Sequence, residues 1–172
     1  QGADALRITS NLEIYWDAAM VIGSEPCPGA RKQSLPLYSA VLFDAGYPER
    51  RNGPQKRPGF DWSRRAPLWD TRFQRGMHSL HGDVFPLIEK TDSALAIFGP
   101  GEAVECAFTA VPPPSGLGAG GSFRFVLEID GWCKDKDLFT QDGDTIEPLP
   151  VDLAGEAQRL HEQYNTRWMG GY

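Results

Sequence analysis

A mainly β, sandwich-like domain with long loops and one C-terminal helix is the fold class this sequence predicts. Three observations carry the prediction. Several segments alternate apolar and polar residues at the period of two that sets one side of a strand against a core. The chain holds 19 glycines and 14 prolines, roughly a fifth of its residues against a background of about 12%, so turns must be frequent. Only one stretch, close to the end, places apolar residues at helical spacing. Strands first and a helix last favour a sandwich over any βαβ arrangement.

In residues 6–16, Leu6, Ile8, Leu12, Ile14 and Trp16 fall on one face, with Arg7, Thr9, Asn11, Glu13 and Tyr15 on the other. This predicts a strand or pair of strands, which residues 17–22 extend. The run Ser24-Glu25-Pro26-Cys27-Pro28-Gly29 forces a turn, because prolines cannot donate to a ladder. Residues 35–44 (LPLYSAVLFD) are apolar on both faces and predict an interior strand. From residue 45 to 75 the pattern gives way to Gly, Pro, Arg and aromatics, which predicts a long ordered loop. Phe60, Trp62, Leu68, Trp69 and Phe73 are expected to anchor that loop to the core, and its clustered cations (Arg50-Arg51, Lys56-Arg57, Arg64-Arg65) read as solvated.

Residues 76–90 read as a turn leading into a short apolar segment. Two short strands, 94–98 and 103–108, are expected to be joined by Gly99-Pro100-Gly101-Glu102. Residues 111–121 (VPPPSGLGAGG) form a connection without periodicity. The next strand, 123–129, alternates so that Phe123, Phe125, Leu127 and Ile129 face inward. Leu153, Ala157, Leu160 and Tyr164 then recur at helical spacing and predict a helix over 153–163, and residues 165–172 read as a tail. The whole, residues 1–172, is expected to be one β-rich domain, either a processed mature chain or a piece of a longer polypeptide.

The net charge of −6 argues against nucleic acid as a partner, since a phosphate-binding domain carries a basic face. No apolar run approaches the ~20 residues of a membrane span. Cys27, Cys106 and Cys133 are an odd set and no disulfide framework; Cys106 reads as a small core residue and Cys133 as a surface one. GxSxG, HExxH and CxxC do not occur, and the glycines of 116–121 lack the lysine of a phosphate loop. His78-Ser79-Leu80-His81 has HxxH spacing, but a zinc site needs a further ligand, so two histidines hydrogen-bonded within a loop are expected. An enzyme would have to use His78, His81 or Cys133, and a sugar-binding module would use Trp62, Trp69 or Trp132 as a stacking platform.

The densest charge lies at Asp130, Asp135, Asp137, Asp142, Asp144 and Glu147, within eighteen residues. Carboxylates two apart in a tight loop can converge on Ca²⁺, which takes six to eight oxygens, with Gly143 permitting the turn. The competing reading is a solvated loop whose aspartates cap turns through backbone amides.

Three stretches together carry a family resemblance: residues 6–17 (LRITSNLEIYWD), GDVFP at 82–86 with FGPGE at 98–102, and GWCKDKDLFTQDGDTIEPLP at 131–150, followed by Tyr164-Asn165-Thr166-Arg167. They resemble the C-terminal β-rich region of large bacterial proteins that combine FG-GAP-type propeller repeats, an ASPIC/UnbV-type module and often tetratricopeptide repeats. Two departures stand out. His78-Ser79-Leu80-His81 replaces a run containing tyrosine and arginine, and Glu102 stands where that family has aspartate. The resemblance implies an extracytoplasmic (periplasmic or secreted) accessory domain without catalysis of its own. Its partners would be other protein chains or domains of the same assembly.

Overall fold

The computed structural model describes residues 31–66, 73–109 and 124–170. The chain divides into two compact units, Gln1–Gln33 and Ser34–Tyr172. In the first, only residues 31–33 are described, and all three are exposed. The expected strands and turn within residues 6–29 lie outside the described residues, as do Cys27, Leu68, Trp69 and the connection 111–121.

The second unit is mainly β with one ten-residue helix near its end, as the sequence predicts. Its centre is β1 (Leu37–Asp44), the middle strand of an antiparallel sheet ordered β5–β1–β6, where β5 is Gly82–Asp83 and β6 is Glu102–Phe108. The ladder with β6 runs from Leu37 opposite Phe108 to Asp44 opposite Glu102. On β5, Asp83 opposes Val41. Period-two alternation sends Ala40 and Leu42 into the core with no exposed surface, while Val41 and Phe43 face outward. The register shifts between Leu37 and Ser39, which breaks the parity, so Leu37 packs against the core and Tyr38 is exposed. The strand is thus interior in the sheet but covered on one face only.

That covered face meets Val84, Leu87, Ala94 and Leu160. Leu87 belongs to the single-turn α1 (Phe85–Ile88), whose first amide is held by the Asp83 carboxylate at 2.9 Å. Leu160 belongs to α2 (Gly155–Tyr164), which turns Ala157, Leu160 and Tyr164 onto one face at the spacing of a 3.6-residue helix. Each fully buried Leu or Val side chain contributes roughly 1.5–3 kcal/mol.

Several sequence expectations need correction. Residues 45–75 are not one long loop: β2 (Pro48–Asn52) and β3 (Pro58–Arg65) form an antiparallel hairpin, with the tip Pro54–Lys56 between them. Of the expected anchors, Phe60 and Trp62 are exposed on a two-stranded sheet that no other described strand joins, whereas Phe73 is half-buried against the His78 ring. Residues 124–130 form no strand, and Phe125, Leu127 and Ile129, expected inside, are exposed; alternation sets the side-chain directions, but a strand also needs a neighbour to bond. Residues 94–98 are likewise outside the ladder, because Ile97 bonds Ser79 instead. Cys106, expected in the core, is exposed, as is Cys133; among the described residues β6 is an edge strand. The expected tail holds β7 (Arg167–Met169), paired with β4 (Gly76–His78) so that His78 opposes Arg167.

Candidate functional site

The two sequence runs singled out for different reasons, HSLH at 78–81 and YNTR at 164–167, meet in space. The β4–β7 pairing brings them together, and the turn at residues 99–102 closes the third side. Each of the three histidines of the chain, His78, His81 and His161, makes a polar contact in this network.

Ser79 is its pivot. Its amide donates to the Ile97 carbonyl at 2.8 Å, and its hydroxyl accepts the Ile97 amide at 2.8 Å. That leaves the hydroxyl proton for Asn165 Oδ1, at 2.5 Å. The Asn165 amide nitrogen in turn donates to the Leu95 carbonyl (3.0 Å) and to His161 Nδ1 (2.9 Å). Ser79 and Asn165 are both buried, so every one of these groups needs its partner. The Leu80 amide donates to the Tyr164 carbonyl at 2.9 Å, and Arg167 Nε to the Ser79 carbonyl at 2.9 Å.

The charged half is built on Glu102. Its side chain is 5% exposed, and one oxygen takes both His81 Nε2 and Arg167 Nη2 at 2.7 Å. The other oxygen accepts the Gly99 amide at 2.8 Å. The Arg167 approach through Nη2 is an ion contact without hydrogen-bond alignment. The Gly99–Glu102 turn is closed further by the Glu102 amide on the Gly99 carbonyl. The length of the glutamate side chain lets it reach three donors on three segments.

His78 has no exposed surface, and its ring lies 6.0 Å from that of Phe73. Nδ1 sits 3.4 Å from the Gly76 carbonyl, which can only accept, so Nδ1 carries the proton and Nε2 is a buried lone pair without a partner. Burial pushes its pKa below the ordinary imidazole value, the Gly76 carbonyl opposing this and the Arg167 charge adding to it. A depressed folded-state pKa means that the unfolded chain binds the proton more tightly. Stability is therefore whole above about pH 6.5, the ordinary imidazole value, and falls as the pH drops from there toward the folded-state pKa. The melting temperature of the parent is expected to decline on acidification through this window, and the His78→Phe variant to decline less. Parallel curves for the two proteins would remove His78 as the cause.

This arrangement does not make a nucleophile. The proton of Ser79 points at an amide oxygen, which is no base, and the hydroxyl is sealed from solvent. His78 and His81 share no partner and are not on a helix: one is buried in β4, the other exposed and bound to Glu102. Cys133 lies beside the Asp135 carboxylate at 4.0 Å rather than beside an imidazole.

The acidic segment is organised by its own turns. Asp137 accepts the amides of Phe139 (2.8 Å) and Thr140 (2.7 Å), which hold its carboxyl below the usual range. The Glu147 carboxylate accepts the Leu149 amide, and Asp144 pairs with Arg75 at 3.5 Å. Asp142 sits at φ 54 and gives its carbonyl to Thr145, while Asp130 and Asp135 are exposed. Lys134 and Lys136 donate to the carbonyls of Ile146, Glu147 and Phe73. Gly143 is buried where a Cβ would meet the Asp135 carbonyl oxygen at 2.6 Å. Among the described residues, no group of three or more His, Cys, Asp or Glu side chains is arranged to hold a metal ion. Nor, among them, is any helix long and apolar enough to cross a membrane.

The same segment lines an open cleft of about 450 Å³ with Trp132, Cys133, Lys134, Asp135, Thr140 and Gln141. Comparison with protein-family models, curated proteins and solved structures finds no match to this chain.

Proposed function

We propose that this chain is a non-catalytic, extracytoplasmic binding or assembly module that takes a strand of a partner protein along residues 124–130. The observation that carries the reading is the exposure of that segment. Phe125, Val126, Leu127 and Ile129 are 85%, 89%, 65% and 77% exposed, and the segment pairs with no strand among the described residues. Four apolar side chains in one extended run are costly in water. A partner strand bonding to the free backbone would cover them, and its side-chain pockets would supply specificity. The resemblance to accessory regions of large multidomain bacterial proteins supports the same class and the extracytoplasmic setting.

The test joins capture with localisation. The chain, immobilised, is expected to retain a stoichiometric partner from an extract of its native source. Amide exchange at residues 124–130 should slow in that complex, and a Val126→Asp, Leu127→Asp double variant should lose the partner at least about tenfold. A complex that forms with unchanged exchange at 124–130 would remove this reading.

A second reading, a carbohydrate-binding module, is favoured by one feature. Trp132 is 56% exposed beside a cleft lined by Thr140, Gln141 and Asp142, an aromatic face next to hydrogen-bonding groups of the kind that holds a sugar ring.

A further inference from the structure

The β2–β3 hairpin has a segregated surface that neither reading above uses. Residues 48–65 carry six cationic and two acidic side chains in a chain whose net charge is −6. The register sorts them. Glu49 opposes Asp61, so both carboxylates share one face, and there they are neutralised: Arg51 contacts Asp61 at 3.1 Å and Glu49 at 3.6 Å, and Arg64 contacts Glu49 at 3.5 Å. Arg50 opposes Phe60 on the other face, and alternation brings Trp62 to that same side. Phe60 is 53% and Trp62 68% exposed, and Arg50 makes no ion pair among the described residues. Arg65 opposes Pro48 and so joins Arg50 on this side, exposed and with no ion pair among the described residues, which gives a face with two open guanidiniums, two exposed rings and no carboxylate. At the tip, Gln55 and Lys56 both adopt positive φ.

We propose that this face binds an acidic polysaccharide, a polymer of uronate-type sugars. Exposed rings two residues apart on a strand lie roughly 7 Å from each other, on the order of one pyranose unit, and present flat apolar surfaces to sugar C–H groups. The guanidinium fork of Arg50 matches a carboxylate in two parallel hydrogen bonds. Two open cations beside two rings suit a chain that carries one carboxylate per sugar unit. A nucleic acid, with a charge at every phosphate, would need a longer basic track and would be repelled by the acidic remainder of the protein. The inference requires neither the partner strand at 124–130 nor the Trp132 cleft.

Calorimetric titration of the whole chain with oligogalacturonate at low salt tests it, with neutral dextran and oligo-dT as the other arms. Oligogalacturonate is expected to bind, to weaken as salt is raised, and to outcompete both. Arg50→Ala and Trp62→Ala should each weaken binding roughly ten- to a hundredfold, and Arg50→Lys by less, while Trp132→Ala leaves it unchanged. All of these side chains are at the surface, so circular dichroism and melting of each variant should match the parent. Absence of oligogalacturonate binding, equal binding of dextran, tighter binding of oligo-dT, or hairpin variants indistinguishable from the parent would each overturn the proposal.

Discussion

Replacing Glu102 by glutamine is expected to destabilise the fold by about 2–4 kcal/mol, although the side chain keeps its shape. Glutamine can still accept the Gly99 amide, but it no longer carries the charge that Arg167 and His81 face. Breaking a fully buried pair costs about 3–5 kcal/mol, because the remaining charge is left uncompensated. The lower figure applies here, since Arg167 is 21% and His81 42% exposed, and water recovers part of the loss. Removing the Arg167 charge as well, in Glu102→Gln with Arg167→Met, should cost less than the two single changes added together. A double-mutant cycle by urea denaturation reads that coupling directly. A Glu102→Gln variant within about 0.5 kcal/mol of the parent, with no coupling to Arg167, would show that the charge contributes little.

What sequence reading reached, and what it missed, divides along sequence separation. The strand β1 announces itself through consecutive residues, and α2 through three apolar residues within eight positions; such elements need no distant partner to be visible. The turn at Gly99–Glu102 is local as well. By contrast, the bond from Ser79 to Asn165 joins residues 86 apart, and that from Arg167 to the Ser79 carbonyl joins residues 88 apart. Nothing in the tail's own composition marks three of its residues as a strand, because β7 exists only by pairing with β4. Asn165 and Arg167 bond to partners 70 or more residues away, so no local pattern marks them.

The hairpin and the segment after it fail in opposite senses. Residues 48–65 look like a loop because arginine, proline and glycine are poor strand formers, yet cross-strand ion pairs and a bulged register suffice to hold two strands. Residues 124–129 look like a strand because they alternate, yet no described strand pairs with them. Propensity states what a segment tolerates, and pairing decides what it becomes. The acids of 130–147 show the same limit. Their spacing suggested convergence, whereas Asp137 and Glu147 turn to nearby backbone amides and Asp144 to Arg75, partners that cannot be read from carboxylate spacing alone.

Asn165→Ala is expected to cost about 3–5 kcal/mol and to be the most damaging single truncation in the polar network. The change leaves three groups without partners: the Ser79 hydroxyl proton, the Leu95 carbonyl and His161 Nδ1. A buried group left unsatisfied costs about 1–3 kcal/mol. Ser79 has no exposed surface to let water in as a substitute. Asn165→Asp should be no milder: the carboxylate can still accept from Ser79 but cannot donate to Leu95, and it brings a charge into a buried site. Removing the hydroxyl too, in Ser79→Ala with Asn165→Ala, should be less than additive for the bond the two share, though Ser79→Ala also strips the acceptor from the Ile97 amide. Amide exchange separates this from a general loss of packing. If Asn165 ties the C-terminal strand to β4, the amides of Arg167–Met169 and Gly76–His78 should open first in the variant, well before those of Leu37–Asp44. Uniform acceleration across all strands, or a cost below about 1 kcal/mol, would mean that the C-terminal segment is held by other contacts.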